Sequence, residues 1–391
     1  MTKVLKGVRI VELGTMITAP LAGMMLADLG AEVIKIEHPQ GGDPFRSFRG
    51  GQYSPHFVAY NRGKRSMKLD LRNEAGAAVL RKLLARSDIL LENYRAGVMD
   101  RLSFGAESIA ATNPKLIHCS ITGFGSSGPY SGRPAYDSVG LALSGIASLL
   151  LDPENPQPCG PTIPDNATGM FACYGILGAL YERERTGRGR RVEVNMLEAA
   201  ISFIPDPFAN HTQNGIKNDP LTRVASSHSF AFRCADGKLL AIHLSSQPKF
   251  WEGMLMAIGR TELADDERFA VREARIKNYV ELTHVLAKIF VTRPRAEWMA
   301  QLEAEDVPFA PVHNIPEVID DPQIKHLETF ETLRHPTEGD IVSIRRPVRI
   351  DGARDGSGLP APTLGQHTNE VLLELGYDQL GLDKLRAASV I

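Results

Sequence analysis

The sequence predicts an α/β protein whose larger part is a parallel sheet with helices on its faces. Short apolar, β-branched runs alternate with helical patterns through the first two hundred residues, as strand–helix units require. The connections between them are short and punctuated by glycine and proline. Past about residue 203 the texture changes, so a second, smaller part is expected.

The elements follow in order. "GVRIVEL" reads as a strand, "GTMITAP" as a turn-rich loop, and "LAGMMLADLG" as a helix ending at Gly30, a residue suited to the left-handed position past a helix end. "AEVIKIE" is the second strand and "SMKLDL" the third. Asn73 caps the helix "EAGAAVLRKLLARS". "DILLENY" and "KLIHCSIT" are further strands, and "YDSVGLALSGIASLL" is a helix. A long helix covers "NATGMFACYGILGALYERER" and closes at Gly187 and Gly189; "RVEVNMLEAAISF" is a strand feeding a helix. "IPDPFANHTQNGIKNDP" has no periodicity and reads as a linker. "SFAFRCADGKLLAIHL" predicts a hairpin turning at Asp236-Gly237, followed by amphipathic helices to about residue 306. "PEVIDDPQIKHLETF" breaks the pattern, "DIVSIRRPVRI" is a strand pair or an extended arm, and "PAPTLGQHTNEVLLELGY" gives a loop and a helix.

Composition narrows the function. Of 391 residues, 43% are apolar, enough for a sizeable core. The net charge of −2 provides no field for nucleic acid. No apolar run has the length of a membrane span, and "MTKVLKGVRI" lacks a secretory signal. Cys119, Cys159, Cys173 and Cys234 form no paired motif, and His211, His228 and His243 lack metal-ligand spacing. A cytoplasmic protein with reduced thiols and no metal is expected.

Several stretches carry candidate chemistry. "GFGSSG", Gly123 to Gly128, matches a dinucleotide fingerprint in letters, but no helix follows to receive a pyrophosphate. A nicotinamide-dependent oxidoreductase is therefore disfavoured, although such a loop at a strand end suits a ligand crevice. Glu37 closes the second strand, where a ribose ligand or a solvated strand end are alternatives. "NRGKRS" and "ENYRAG", with Arg101 beyond, place cations near strand ends, which suits a polyphosphate or a solvated basic face. Asp165 suits two roles. It is a natural helix cap, and it is a possible nucleophile whose oxyanion the helix-start amides would hold, with small Ala167 and Gly169 leaving room for substrate.

With those blocks in their order, nearly the whole chain resembles the class III, or formyl-CoA-type (CaiB/BaiF), CoA-transferases. "DNATGMFACYGILGALYERERTGRGRRVEVNMLEA" is the most specific block. The resemblance implies a large CoA-binding Rossmann-like domain (residues 1–203), a linker (204–225), a smaller α+β domain (226–330) and a C-terminal segment (331–391) returning to the large one. It implies an interlocked homodimer, and a CoA thioester and a carboxylic acid as substrates rather than any prosthetic group. It places the catalytic aspartate on Asp165, CoA contacts on His38, Leu69, Arg72, Asn93, Tyr94, Arg95 and Arg101, and a tyrosine beside the thioester on Tyr136. The carboxylate is expected to be already ionised at neutral pH and to need no general base. An α-methylacyl-CoA racemase is the alternative, but its "GHD" histidine is replaced by "AYD" here. A non-catalytic CoA-binding protein is a further alternative.

Two departures accompany the resemblance. The family's glycine-rich loop corresponds to "RVASSHSFAF", without glycine, and His38 stands where a stronger cation is usual, so Arg46 or Arg72 is expected to assist. Arg133, Arg223 and Arg233 are candidates for the distal carboxylate of a dicarboxylic acid such as that of succinyl-CoA.

Overall fold

The computed structural model describes residues 3–158, 160–354, 356 and 358–391. Cys159 lies outside them, whereas Cys119, Cys173 and Cys234 are buried free thiols. Two compact units are present. The first comprises the described residues of Met1–Ala147, Gly160–Pro205 and Leu327–Ile391. The second takes in Asp206–His326 and a short stretch beginning at Ser148.

The first unit is built on a six-stranded parallel sheet: β1 (Arg9–Glu12), β2 (Glu32–Glu37), β3 (Lys64–Lys68), β4 (Ile89–Glu92), β5 (Ile117–Thr122) and β6 (Arg191–Asn195). Their order is β3-β2-β1-β4-β5-β6. Register is fixed by buried aliphatic residues, with Val11 opposite Ile34 on one side and Leu90 on the other. Alternation then sends neighbours to opposite faces. Val11, Ile34 and Leu90 join one apolar cluster, and Ile10, Val33 and Ile89 join another.

Helices cover both clusters. On the Ile10 side lie α1 (Thr18–Asp28), through Ala22 and Leu26, and the long helix later in the chain, through Ala172 and Ile176. On the Val11 side lies a helix over Glu74–Leu84, started by Asn73 accepting from Ala75 N. In chain order the remaining helices here are α2 (Pro55–Asn61), α3 (Glu74–Leu84), α4 (Val98–Arg101), α5 (Ala106–Thr112), α6 (Asp137–Leu143), α7 (Ile163–Thr186) and α8 (Met196–Phe203). A C-terminal helix over Thr368–Glu374 inserts Val371 and Leu372 into the Val11 cluster. Gly30 and Gly187 take left-handed conformations after α1 and α7, as expected of residues that stop a helix.

Four local expectations are corrected. Helix α7 begins at Ile163 rather than after Asp165, because Pro164 suits the first helical turn. Asp165 is thus inside that turn and is not the cap; Thr162 is. The expected linker contains helix α9 (Pro205–Asn214), whose lack of a buried residue left no apolar period to read. "PEVIDDPQIKHLETF" holds α15 (Ile315–Asp320), secured by an Asn314–Glu317 capping box, and α16 (Pro322–His326). "DIVSIRRPVRI" contributes one strand, not two: β11 (Gly339–Ile344) pairs with β10 (Phe330–His335) upstream.

The second unit has its own core. Strands β7 (Ser229–Arg233), β8 (Leu239–His243) and β9 (Phe309–Pro311) form an antiparallel sheet, with the expected hairpin and Gly237 at a φ of 76°. Helices α10 (Thr222–Ser226), α11 (Pro248–Ile258), α12 (Arg272–Lys277), α13 (Tyr279–Phe290) and α14 (Arg295–Ala304) surround it. Phe232 stacks on Phe290 at 4.5 Å. The glycine-free "RVASSHSFAF" is packed, with Ala225 and His228 buried. Among the described residues no helix is long and apolar enough to cross a membrane.

Candidate active site

In an open parallel sheet, ligands collect beyond the carboxyl ends of the strands where the order reverses. Here that point lies between β1 and β4. A cavity of about 350 Å³ opens there. Its walls are the β1–α1 turn (Thr15 to Thr18), the segment after β4 (Asn93 to Ala96), the end of β5 with Gly123, and Arg133, Tyr136, Asp165 and Met196.

Of the nine sequence-predicted site residues, this cavity brings together Asn93, Tyr94, Arg95, Tyr136 and Asp165. Asn93 also pins the turn: its Oδ1 accepts from Thr15 N at 3.0 Å, and its Nδ2 donates to Thr15 O at 2.8 Å. His38 and Arg72 stand apart in an exposed cluster, joined at 2.6 Å, with Arg72 also on Asp70 at 3.1 Å. Arg101 is exposed on α4. Leu69 is 1% exposed and packs in the Val11 cluster, so only its backbone can meet a ligand.

Several charges expected at a ligand are spent inside the fold. Arg46 is buried and donates to Glu37 Oε2 at 2.6 Å and Oε1 at 2.7 Å, while stacking on Phe57. It does not assist His38. Glu37 is accordingly neither solvated nor a ribose ligand. Burial raises its carboxyl, but Arg46, Lys35 and the Ser66 hydroxyl together hold it below the usual range. The basic run "NRGKRS" is likewise consumed: Arg62 pairs with Asp28, Lys64 with Glu12, and Arg65 with Glu32 and Glu374.

Asp165 is different. It is half-buried, and among the described residues no cation pairs with it. Burial first, and the nearby Asp137 carboxylate second, push it up to about 7. The carboxyl expected to be already ionised at neutral pH is thus shifted toward neutrality by its surroundings. Asp137, at the start of α6, accepts from Asp165 N at 3.1 Å. Asn166 N donates to Thr162 O at 3.2 Å. The α7 amides flanking the carboxylate are therefore engaged and are not the oxyanion donors expected. Nor do the small residues make room for substrate: Ala167 is buried, and a Cβ on Gly169 would lie 2.8 Å from Thr18 O of α1.

Sequence reading missed Asp137, although it follows Tyr136 directly in "AYD"; only the packing of α6 on α7 brings it to Asp165. It also missed the β1–α1 turn, read only as a loop. The "GFGSSG" loop lines the cavity through Gly123 alone, where a Cβ would lie 2.3 Å from that of Ala135, and no helix follows before α6. Of the three candidate arginines, Arg133 lines the cavity and stacks over Tyr130 at 4.0 Å. Arg223 and Arg233 belong to the second unit, on Asp206 at 3.5 Å and Gly237 O at 2.9 Å.

Comparison with known proteins matches residues 5–368 to CoA-transferase family III. The chain belongs to that family. Succinyl-CoA:glutarate CoA-transferase of Mus musculus is 33% identical, aligned over 100% of this chain and 90% of its own. Formyl-CoA:oxalate CoA-transferase of Streptomyces avermitilis is also 33% identical, over 100% of both chains. The solved structure of a CaiB/BaiF family protein from Brucella suis has a TM-score of 0.84 and 31% identity, covering 95% of this chain and 99% of that one. The protein is thus a family III CoA-transferase enzyme, and the racemase alternative is not favoured.

Proposed function

We propose that the enzyme moves CoA from an acyl-CoA to a dicarboxylic acid through covalent intermediates on Asp165. The observation that carries this reading is a carboxylate without a cation partner, raised in basicity, on the wall of a cavity that also holds Arg95, Arg133, Tyr94 and Tyr136. A carboxylate held by a cation has its electron pair committed; Asp165 does not.

In the proposed sequence, an Asp165 oxygen attacks the donor thioester carbonyl, the C–S bond breaks and CoA thiolate leaves. The thiolate then attacks the Asp165 carbonyl of the mixed anhydride, expelling donor carboxylate and leaving an aspartyl-CoA thioester. The acceptor carboxylate attacks that thioester, and the released thiolate takes the acceptor acyl group, restoring Asp165. Each half splits a hard transfer into two easier ones. Oxyanion donors are sought in the first turn of α1, which no side chain caps and whose start lines the cavity. The His38–Arg72 cluster and the exposed Arg101 are proposed for the nucleotide end of CoA, with Asn93, Tyr94 and Arg95 along the thioester arm. Arg133 is proposed for the distal carboxylate. Relatives named for glutarate and oxalate support a dicarboxylic acceptor.

The sheet is proposed to be Rossmann-like and the protein an interlocked homodimer. On α7, Met170, Tyr174 and Tyr181 are exposed along one helical face, an apolar stripe that a second copy would cover. The test of function is a panel of acyl-CoA donors and free acids read by mass spectrometry. New thioesters of dicarboxylic acids, lost or weakened tenfold in Arg133→Ala, are expected; transfer only to monocarboxylic acids would reject the substrate assignment.

A further inference from the structure

The β1–α1 turn forms one wall of the Asp165 cavity, and its backbone is held by Asn93, which lines that cavity, and by Asp43 and Lys35, which do not. Met16 has a φ of 64°. That left-handed conformation is unfavourable for a residue with a side chain and persists only where surroundings enforce it. Asp43 supplies the restraint. It is 1% exposed, and its two oxygens accept from Met16 N at 3.2 and 3.1 Å. Asp43 is itself fixed by Phe45 N at 2.9 Å and by the buried Lys35 ammonium at 2.9 Å. Lys35 reaches back to the same turn, donating to Gly14 O at 2.6 Å and to Glu12 at 3.0 Å. Gly14 O and Met16 N are therefore gripped from one side by an ion pair, while Asn93 grips Thr15 between them from the other.

We propose that Asp43, braced by Lys35, is a positioning residue that holds Met16 left-handed and so gives the cavity wall its shape before substrate arrives. Preorganised walls matter most where the reacting groups must meet at fixed separation. The inference rests on the reading of this cavity as the transfer site, but its structural half stands independently.

The test is Asp43→Ala in the full chain. Amide exchange of the Gly14–Met16 turn is expected to quicken at least tenfold. The kcat is expected to fall at least tenfold, while the acyl-CoA KM moves less than threefold. In a Met16→Gly background, where a left-handed backbone costs little, the same Asp43→Ala change is expected to cost less than half as much on a logarithmic scale. Unchanged exchange, or an equal loss in both backgrounds, overturns the proposal. Should Asp43→Ala not fold, Asp43→Asn reads the same contact, since its carbonyl oxygen still accepts from Met16 and Phe45. Exchange within threefold of wild type supports positioning; exchange as fast as in the unfolded chain overturns it. Amide exchange reports on the turn whether or not Asp165 is the nucleophile, so failure of the mechanism is told apart from failure of this inference.

Discussion

The first unit holds buried carboxylates in two settings. At and beyond the carboxyl end of β2, Glu37 is bound by Arg46 and Asp43 by Lys35. Burial raises both groups, yet the cations and the hydrogen bonds each carboxylate accepts leave both below the usual carboxylate range. At the start of α7, Asp165 is less buried, but its charged neighbour is Asp137, and it rises to about 7. Burial acts in one direction at all three sites; cations and accepted hydrogen bonds reverse it at Glu37 and Asp43, Asp137 adds to it at Asp165, and at Asp28 burial prevails even against Arg62. The paired groups are framework, and the unpaired one is the group proposed for the chemistry.

The contrast can be broken at either end. The largest effect is expected at Asp165→Ala, which should lower kcat by at least about a thousandfold while CoA affinity, measured by calorimetry, stays within about threefold. Transfer within about tenfold of wild type would remove Asp165 from the reaction. Next, Arg46→Met strands Glu37 in the interior. Denaturant unfolding should show a loss of about 3–5 kcal/mol, and a loss under about 1 kcal/mol would mean that the pair does not hold the framework.

Two smaller effects sharpen the contrast. Asp137→Asn removes the like charge but keeps an acceptor for Asp165 N. The rising limb of single-turnover rate against pH should move down from near 7 by about one unit; an unmoved limb would leave burial as the sole cause. The smallest effect concerns stability. A folded value above the ordinary one means that ionising Asp165 costs the folded state, so stability is lost as pH rises through about 7. Asp165→Asn escapes that loss. Urea melts should show it more stable than wild type by about 1–2 kcal/mol near pH 8 and no different near pH 4; a variant less stable at pH 8 would contradict the sign.

Much of the sheet was legible because period-two and helical patterns are local. β1, α1, β2 and the Asn73 cap are each set by a few adjacent residues. The fate of "NRGKRS" was not legible, since Lys64 meets Glu12 across 52 positions of sequence. Nor does a string of letters say that Arg46 folds inward onto Glu37 instead of toward a ligand. Asp165 could be singled out as a carboxylate at a helix start. Its elevated value could not, because that depends on α6 carrying Asp137 to α7, and the grip of Asp43 on Met16 likewise joins two loops after different strands.

Covalent capture tests the mechanism most directly. The enzyme is mixed with a dicarboxylyl-CoA, quenched with hydroxylamine, digested and sequenced by mass spectrometry. A hydroxamate on Asp165, absent when the thioester is omitted, is the expected result. An enzyme that completes transfer under the same conditions with Asp165 never modified would contradict it.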